Sequence, residues 1–123
     1  DLRLSIYKRI SNINNNKEIE DIKIELIDRF GKLPIQLINL LKLVEIKIIC
    51  IKNNIEKFEF SRKGILISFF QNKPKNPEKL LQLSLSNKNS LILRPDQKIF
   101  YNFGGNLISD RFELSKKIIN LIK

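Results

Sequence analysis

Asn53-Asn54-Ile55-Glu56-Lys57-Phe58-Glu59-Phe60 is the stretch on which the fold turns. Before it, apolar residues recur at helical spacing. Within it, Phe58 and Phe60 alternate with Lys57 and Glu59. A repeat near 3.6 residues places side chains on one face of a helix, whereas a repeat of two places them on one face of a strand. Helices are therefore expected before Asn53 and strands after Asn54. Ser61 to Gly64 supplies a turn, and Ile65, Ile67 and Phe69 resume the alternation, which predicts an antiparallel hairpin.

Working back from the switch, residues 34 to about 53 are apolar on most faces. Gln36, Asn39, Lys42 and Glu45 leave only a narrow polar strip, and Pro34 is pre-organised for a first helical turn. This third helix is expected at the centre of the core. Ahead of it, Ile19, Ile22, Leu26 and Phe30 form the apolar stripe of a helix from Lys17 to Phe30. Asn16 serves as its N-cap, Glu18 and Glu20 suit the positive end of its dipole, and Gly31 stands where a left-handed C-cap is needed. Leu2, Leu4, Ile6, Tyr7, Ile10 and Ile13 predict a first helix over about residues 2–13.

Working forward, Pro74 and Pro77 close the hairpin region. Leu80, Leu81, Leu83 and Leu85 predict a helix over residues 78–86. Short strands are expected at residues 90–93 and 98–103, separated by an Arg94-Pro95-Asp96 turn. Gly104, Gly105 and Asn106 break the chain before a last helix over residues 111–122. The expected fold is α+β: an N-terminal three-helix segment packed on a small, mainly antiparallel sheet of about four strands, with further covering helices. The 123 residues suit a single domain, with a helical part over about 2–53 and a sheet-containing part over about 54–123.

The composition narrows the chemistry. The chain opens on Asp1 and has no Met, so the natural start of the product is expected upstream. With one Cys and no His, neither a disulfide framework nor a zinc site of the usual ligands can be assembled. Cys50, among Ile residues and without an activating His, reads as a small buried hydrophobe. Gly64 and Gly104-Gly105 lack the Lys-Ser/Thr context of a phosphate loop, and general acid–base work at neutral pH has no His to recruit. No catalytic residue, metal or cofactor is expected. The lone cysteine fits a reducing cytoplasm, and the longest apolar run falls far below the roughly 20 residues of a membrane span, so no membrane targeting is expected.

Two surface patterns remain. The formal net charge is +10, from 23 Lys and Arg against 13 Asp and Glu. It invites a nucleic-acid reading through Lys42, Lys47 and Lys52 or Lys73, Lys75 and Lys79, with Tyr101 as a stacking group. An abundance of Ile, Lys and Asn with no Ala is also what AT-rich coding produces regardless of function. Against this basic background, Glu18, Asp21, Glu25 and Asp28 recur at i, i+3, i+7 and i+10 and share one face of the second helix. Like charges at these spacings repel by a few tenths of a kcal/mol per pair. Lys17, Arg29 or Lys32 is expected to relieve them locally. A solvated face explains the stripe, and so does a docking surface for a basic partner.

Residues 3–10, Arg-Leu-Ser-Ile-Tyr-Lys-Arg-Ile, and residues 20–34, Glu-Asp-Ile-Lys-Ile-Glu-Leu-Ile-Asp-Arg-Phe-Gly-Lys-Leu-Pro, resemble the C-terminal domain of the bacterial transcription-repair coupling factors. The most specific part runs from Glu25 through Arg29, Phe30 and Gly31 to Leu33 and Pro34. The resemblance continues through Asn39-Leu40-Leu41 and Asn54-Ile55 to about Phe70, beyond which only the spacing of elements agrees.

The resemblance implies a parent that is an ATP-dependent DNA translocase, removing stalled RNA polymerase and recruiting excision repair, with its motors outside this segment. It also implies a regulatory role. The domain would pack on an N-terminal module of the same polypeptide and mask the surface that binds the damage-sensing ATPase. Glu25 and Asp28, with Asp21 and Glu18 beside them, would then receive arginines from that module, since Arg forks onto carboxylates.

Overall fold

The computed structural model describes residues 2–86, 91–103 and 110–123. Its described elements run α1 (Leu2–Ser11), α2 (Asn16–Phe30), α3 (Ile35–Lys52), β1 (Ile55–Phe60), β2 (Gly64–Phe69), a 3-10 turn (Phe70–Asn72), α4 (Pro77–Ser86), β3 (Leu91–Leu93), β4 (Ile99–Asn102) and α5 (Arg111–Ile122). The arrangement is α+β, with three helices followed by an antiparallel sheet. The expected chain break at Gly104, Gly105 and Asn106 lies outside the described residues, as does Ser90. The chain divides into two compact units, residues 1–49 and 50–123, the division falling inside α3.

In the first unit, Ile10, Ile13, Ile19, Ile22, Leu26, Leu37, Leu41, Val44 and Ile48 form one buried cluster. Within α2 and α3 these residues recur at three- or four-residue intervals, so one stripe of each helix reaches the core, while Ile10 comes from α1 and Ile13 from the segment after it. Several details differ from the sequence expectation. The N-cap of α2 is Asn15, not Asn16: its backbone is extended, and its Oδ1 accepts from the Glu18 amide at 2.9 Å. Asn15 thus satisfies the Glu18 amide, which a helix start leaves orphaned, while the Glu18 side chain accepts from the Asn14 amide at 3.1 Å and holds the residue before the cap.

Phe30 does not complete the stripe. It is 48% exposed in the last turn of α2. Gly31 follows at φ 75° and donates to the carbonyl of Ile27 at 2.8 Å, a backbone conformation that side chains disfavour. Pro34 caps α3 rather than opening it, its carbonyl accepting from Leu37 and Ile38 at 3.1 Å each. Only one face of α3 is buried; Ile35, Leu43 and Ile51 are exposed despite their apolar character.

The second unit opens on the last residues of α3. Asn54 takes positive φ (59°), and its carbonyl accepts from the Phe70 amide at 2.9 Å, turning helix into strand. The sheet order is β1-β2-β4-β3, every pair antiparallel. Ile55, Ile65, Ile67, Phe69, Leu91 and Ile99 are buried from the sheet, with Leu80 from α4 and Ile118, Ile119 and Ile122 from α5. The Phe58 and Phe60 rings meet edge-on, centroids 5.9 Å apart, and the Arg111 guanidinium lies 5.1 Å from the Phe60 centroid, fixing the start of α5 against β1. In α4 the hydroxyls of Ser84 and Ser86 donate back to the carbonyls of Leu81 and Gln82, which lets serines sit in a helix.

Candidate functional site

The acidic stripe lies wholly on α2, and its four members have different local roles. Glu18 belongs to the N-terminal cap. Glu25 Oε2 accepts from Arg9 Nη1 at 2.6 Å, joining α2 to α1. Asp21 and Asp28 are exposed and form no ion pair among the described residues. A shallow groove runs beside the stripe, with Arg9 and Asn12 on one side and Glu18, Asp21 and Glu25 on the other. Asp28 stands about one turn farther along α2 and does not line it.

Relief of like-charge repulsion thus comes from Arg9, sixteen residues from Glu25 in sequence, and not from the local cations. Lys17, Arg29 and Lys32 form no ion pair among the described residues. Helical periodicity could not have identified Arg9, because its relation to Glu25 depends on how α1 packs on α2. The Arg9 and Glu25 side chains are 51% and 42% exposed, so their pair contributes only about 0–1 kcal/mol and is screened by salt.

Among the motif residues, Arg29 is exposed, and Phe30, Leu33 and Pro34 line a second groove together with Ile6, Tyr7 and Leu37. Sequence reasoning assigned Phe30 to the core and missed this groove. The detectable signal was that Phe30 occupies the last turn, next to a glycine that ends the helix.

Lys75 Nζ donates to the carbonyl of Lys52 at 3.0 Å, and Lys79 Nζ donates to that of Lys123 at 2.7 Å. Tyr101 is half-buried on β4. Burial pushes the Cys50 thiol up to about 11, so it is protonated at neutral pH. Among the described residues, no cluster of three or more Cys, Asp or Glu side chains could hold a metal, and no helix is long and apolar enough to cross a membrane.

The fold defines the class of domain. The crystal structure of the C-terminal domain of a transcription-repair coupling factor superposes with a TM-score of 0.71, covering 97% of this chain and 75% of that chain at 21% identity. Sequence comparison supplies the family. The model described as the TRCF domain matches residues 1–80. The transcription-repair-coupling factor of Rickettsia conorii is 41% identical over 100 residues, 81% of this chain and 9% of that protein. That of Haemophilus influenzae is 31% identical over 122 residues, 99% of this chain and 10% of that protein. The chain belongs to the TRCF domain family, the C-terminal domain of transcription-repair-coupling factors. It spans about a tenth of the length of these relatives.

Proposed function

We propose that this single domain is a non-catalytic, autoinhibitory docking element of a cytoplasmic, ATP-dependent DNA translocase that couples removal of stalled RNA polymerase to nucleotide excision repair. It docks on the N-terminal module of the same polypeptide and masks the surface for the damage-sensing ATPase. Asp21, Glu25 and Asp28 receive arginines from that module, and Glu18 flanks them at the helix start.

The observation that carries this reading is the pair of exposed carboxylates, Asp21 and Asp28, which form no ion pair among the described residues and bracket a Glu25 whose own ion pair is half-exposed. Like charges gain nothing from alignment within the helix, but aligned they offer a basic partner several acceptors at once. Exchange of Arg9 for an arginine of the partner replaces one exposed pair with another, so Glu25 can join the interface at small net cost. Such a contact is reversible, as a switch demands: moving a closed-to-open ratio from 99:1 to 1:99 takes about 5.5 kcal/mol.

The test is charge reversal, Glu25→Lys with Asp28→Lys, in the full-length protein. Binding of the damage-sensing ATPase should rise. Unchanged binding by a correctly folded variant removes this reading.

A further inference from the structure

The first unit carries a second groove of opposite electrostatic character. Ile6 and Tyr7 of α1, Phe30 at the end of α2, and Leu33 and Leu37 around the start of α3 make its apolar wall. Arg3 and Lys32 are the charged residues lining it, both cationic. The groove beside the acidic stripe, by contrast, has three carboxylates and one arginine.

We propose that this groove is a docking site for an acidic, amphipathic segment of a protein partner: an aliphatic or aromatic side chain seats against Phe30 and Leu33, and a carboxylate beside it meets Lys32. The inference is independent of the role given to the acidic stripe.

Three observations support it. An aromatic ring 48% exposed within a concave apolar wall offers binding area at little conformational cost. The wall is also preformed. Gly31 at φ 75° donates to Ile27, and Pro34 caps α3, so the turn that presents Phe30 and Leu33 is held from both sides. Finally, Lys32 is exposed and forms no ion pair among the described residues, which leaves its charge available to a carboxylate. Charge complementarity selects the partner's sign, and the apolar wall requires more than a simple anion.

The probe is a synthetic amphipathic peptide of about 12 residues with Leu at i and i+4 flanked by Glu, titrated into the isotopically labelled 123-residue chain. A matched peptide with Lys in place of every Glu and a single-stranded oligothymidylate serve as comparisons. The Glu peptide should bind saturably, with amide shifts centred on Tyr7, Phe30, Lys32 and Leu33. Phe30→Ala and Lys32→Glu should each weaken it by about fivefold or more.

Equal binding of the Lys peptide overturns the proposal. So does binding of the oligothymidylate at the same residues, a shift map centred on Asp21 to Asp28, or an absence of saturable binding by the Glu peptide. Occupation of the groove by a second copy of the chain, seen as concentration-dependent dimerisation lost in Lys32→Glu, also overturns it. Should Phe30→Ala lose its fold, Lys32→Glu alone decides the outcome.

Discussion

Arg9 and Glu25 meet at 2.6 Å across α1 and α2, the only ion pair among the described residues that involves the acidic stripe. Both side chains remain substantially exposed, so the pair is a weak clasp. Arg9→Gln should lower the stability of the chain by no more than about 1 kcal/mol, read as a small shift of the urea midpoint. A double-mutant cycle with Glu25→Gln should give a coupling that fades in 1 M salt. Because Arg9→Gln frees Glu25, it should also tighten binding of the N-terminal module.

The start of α2 is held differently, by side chains that satisfy backbone donors. Asn15→Ala removes the acceptor for the Glu18 amide and should lower stability by about 1 kcal/mol in urea denaturation. Asn16→Ala should change it by a few tenths at most, because Asn16 is inside the helix and does not cap it. Equal effects of the two substitutions would contradict the cap assignment.

Gly64 begins β2 where the strand passes close to β4. A Cβ at this position would overlap the carbonyl oxygen of Tyr101 and the ring of Phe100. Since Gly64 pairs with Asn102 in the ladder, the backbone cannot withdraw without breaking the sheet. Gly64→Ala should lower stability by about 1–3 kcal/mol or more and shift the urea midpoint down, with the amides of β4 showing the largest loss of exchange protection.

Cys50 offers a pH test. Burial favours the neutral thiol, so the native chain holds this proton more tightly than the unfolded chain does. The resulting stability is complete below about pH 9 and is lost as pH rises through about 11. The urea midpoint of the native sequence should therefore fall more steeply than that of Cys50→Ser across this window. At pH 8 the folded chain should react with iodoacetamide far more slowly than the urea-unfolded chain, with on the order of a hundredfold less thiolate.

Much of this fold was legible in the residues. The change of period at Asn53-Asn54 located the end of α3 and the hairpin, because burial of one face enforces either repeat. Arg111 to Ile122 matches the last helix for the same reason. Phe30 was misread because a step of four residues rotates only about 40° around a helix, so periodicity extends a stripe past the point where neighbouring helices cover it. Asn15 was displaced to Asn16 because either asparagine suits a cap, and only the backbone geometry distinguishes them. At the candidate site, the alignment of the four carboxylates on α2 was visible in sequence. The Arg9 pairing and the groove around Phe30 were not, since both arise where separate helices meet.

In the proposed function, Asp21, Glu25 and Asp28 form the contact face for a basic module of the same polypeptide. The most direct measurement is a titration of the isotopically labelled chain with the isolated N-terminal module, repeated with Asp21→Lys and Asp28→Lys together. Shifts should centre on residues 21–29, and the double variant should lose at least about tenfold in affinity. A folded double variant that binds as tightly as the native sequence, or shifts centred elsewhere, would contradict this contact.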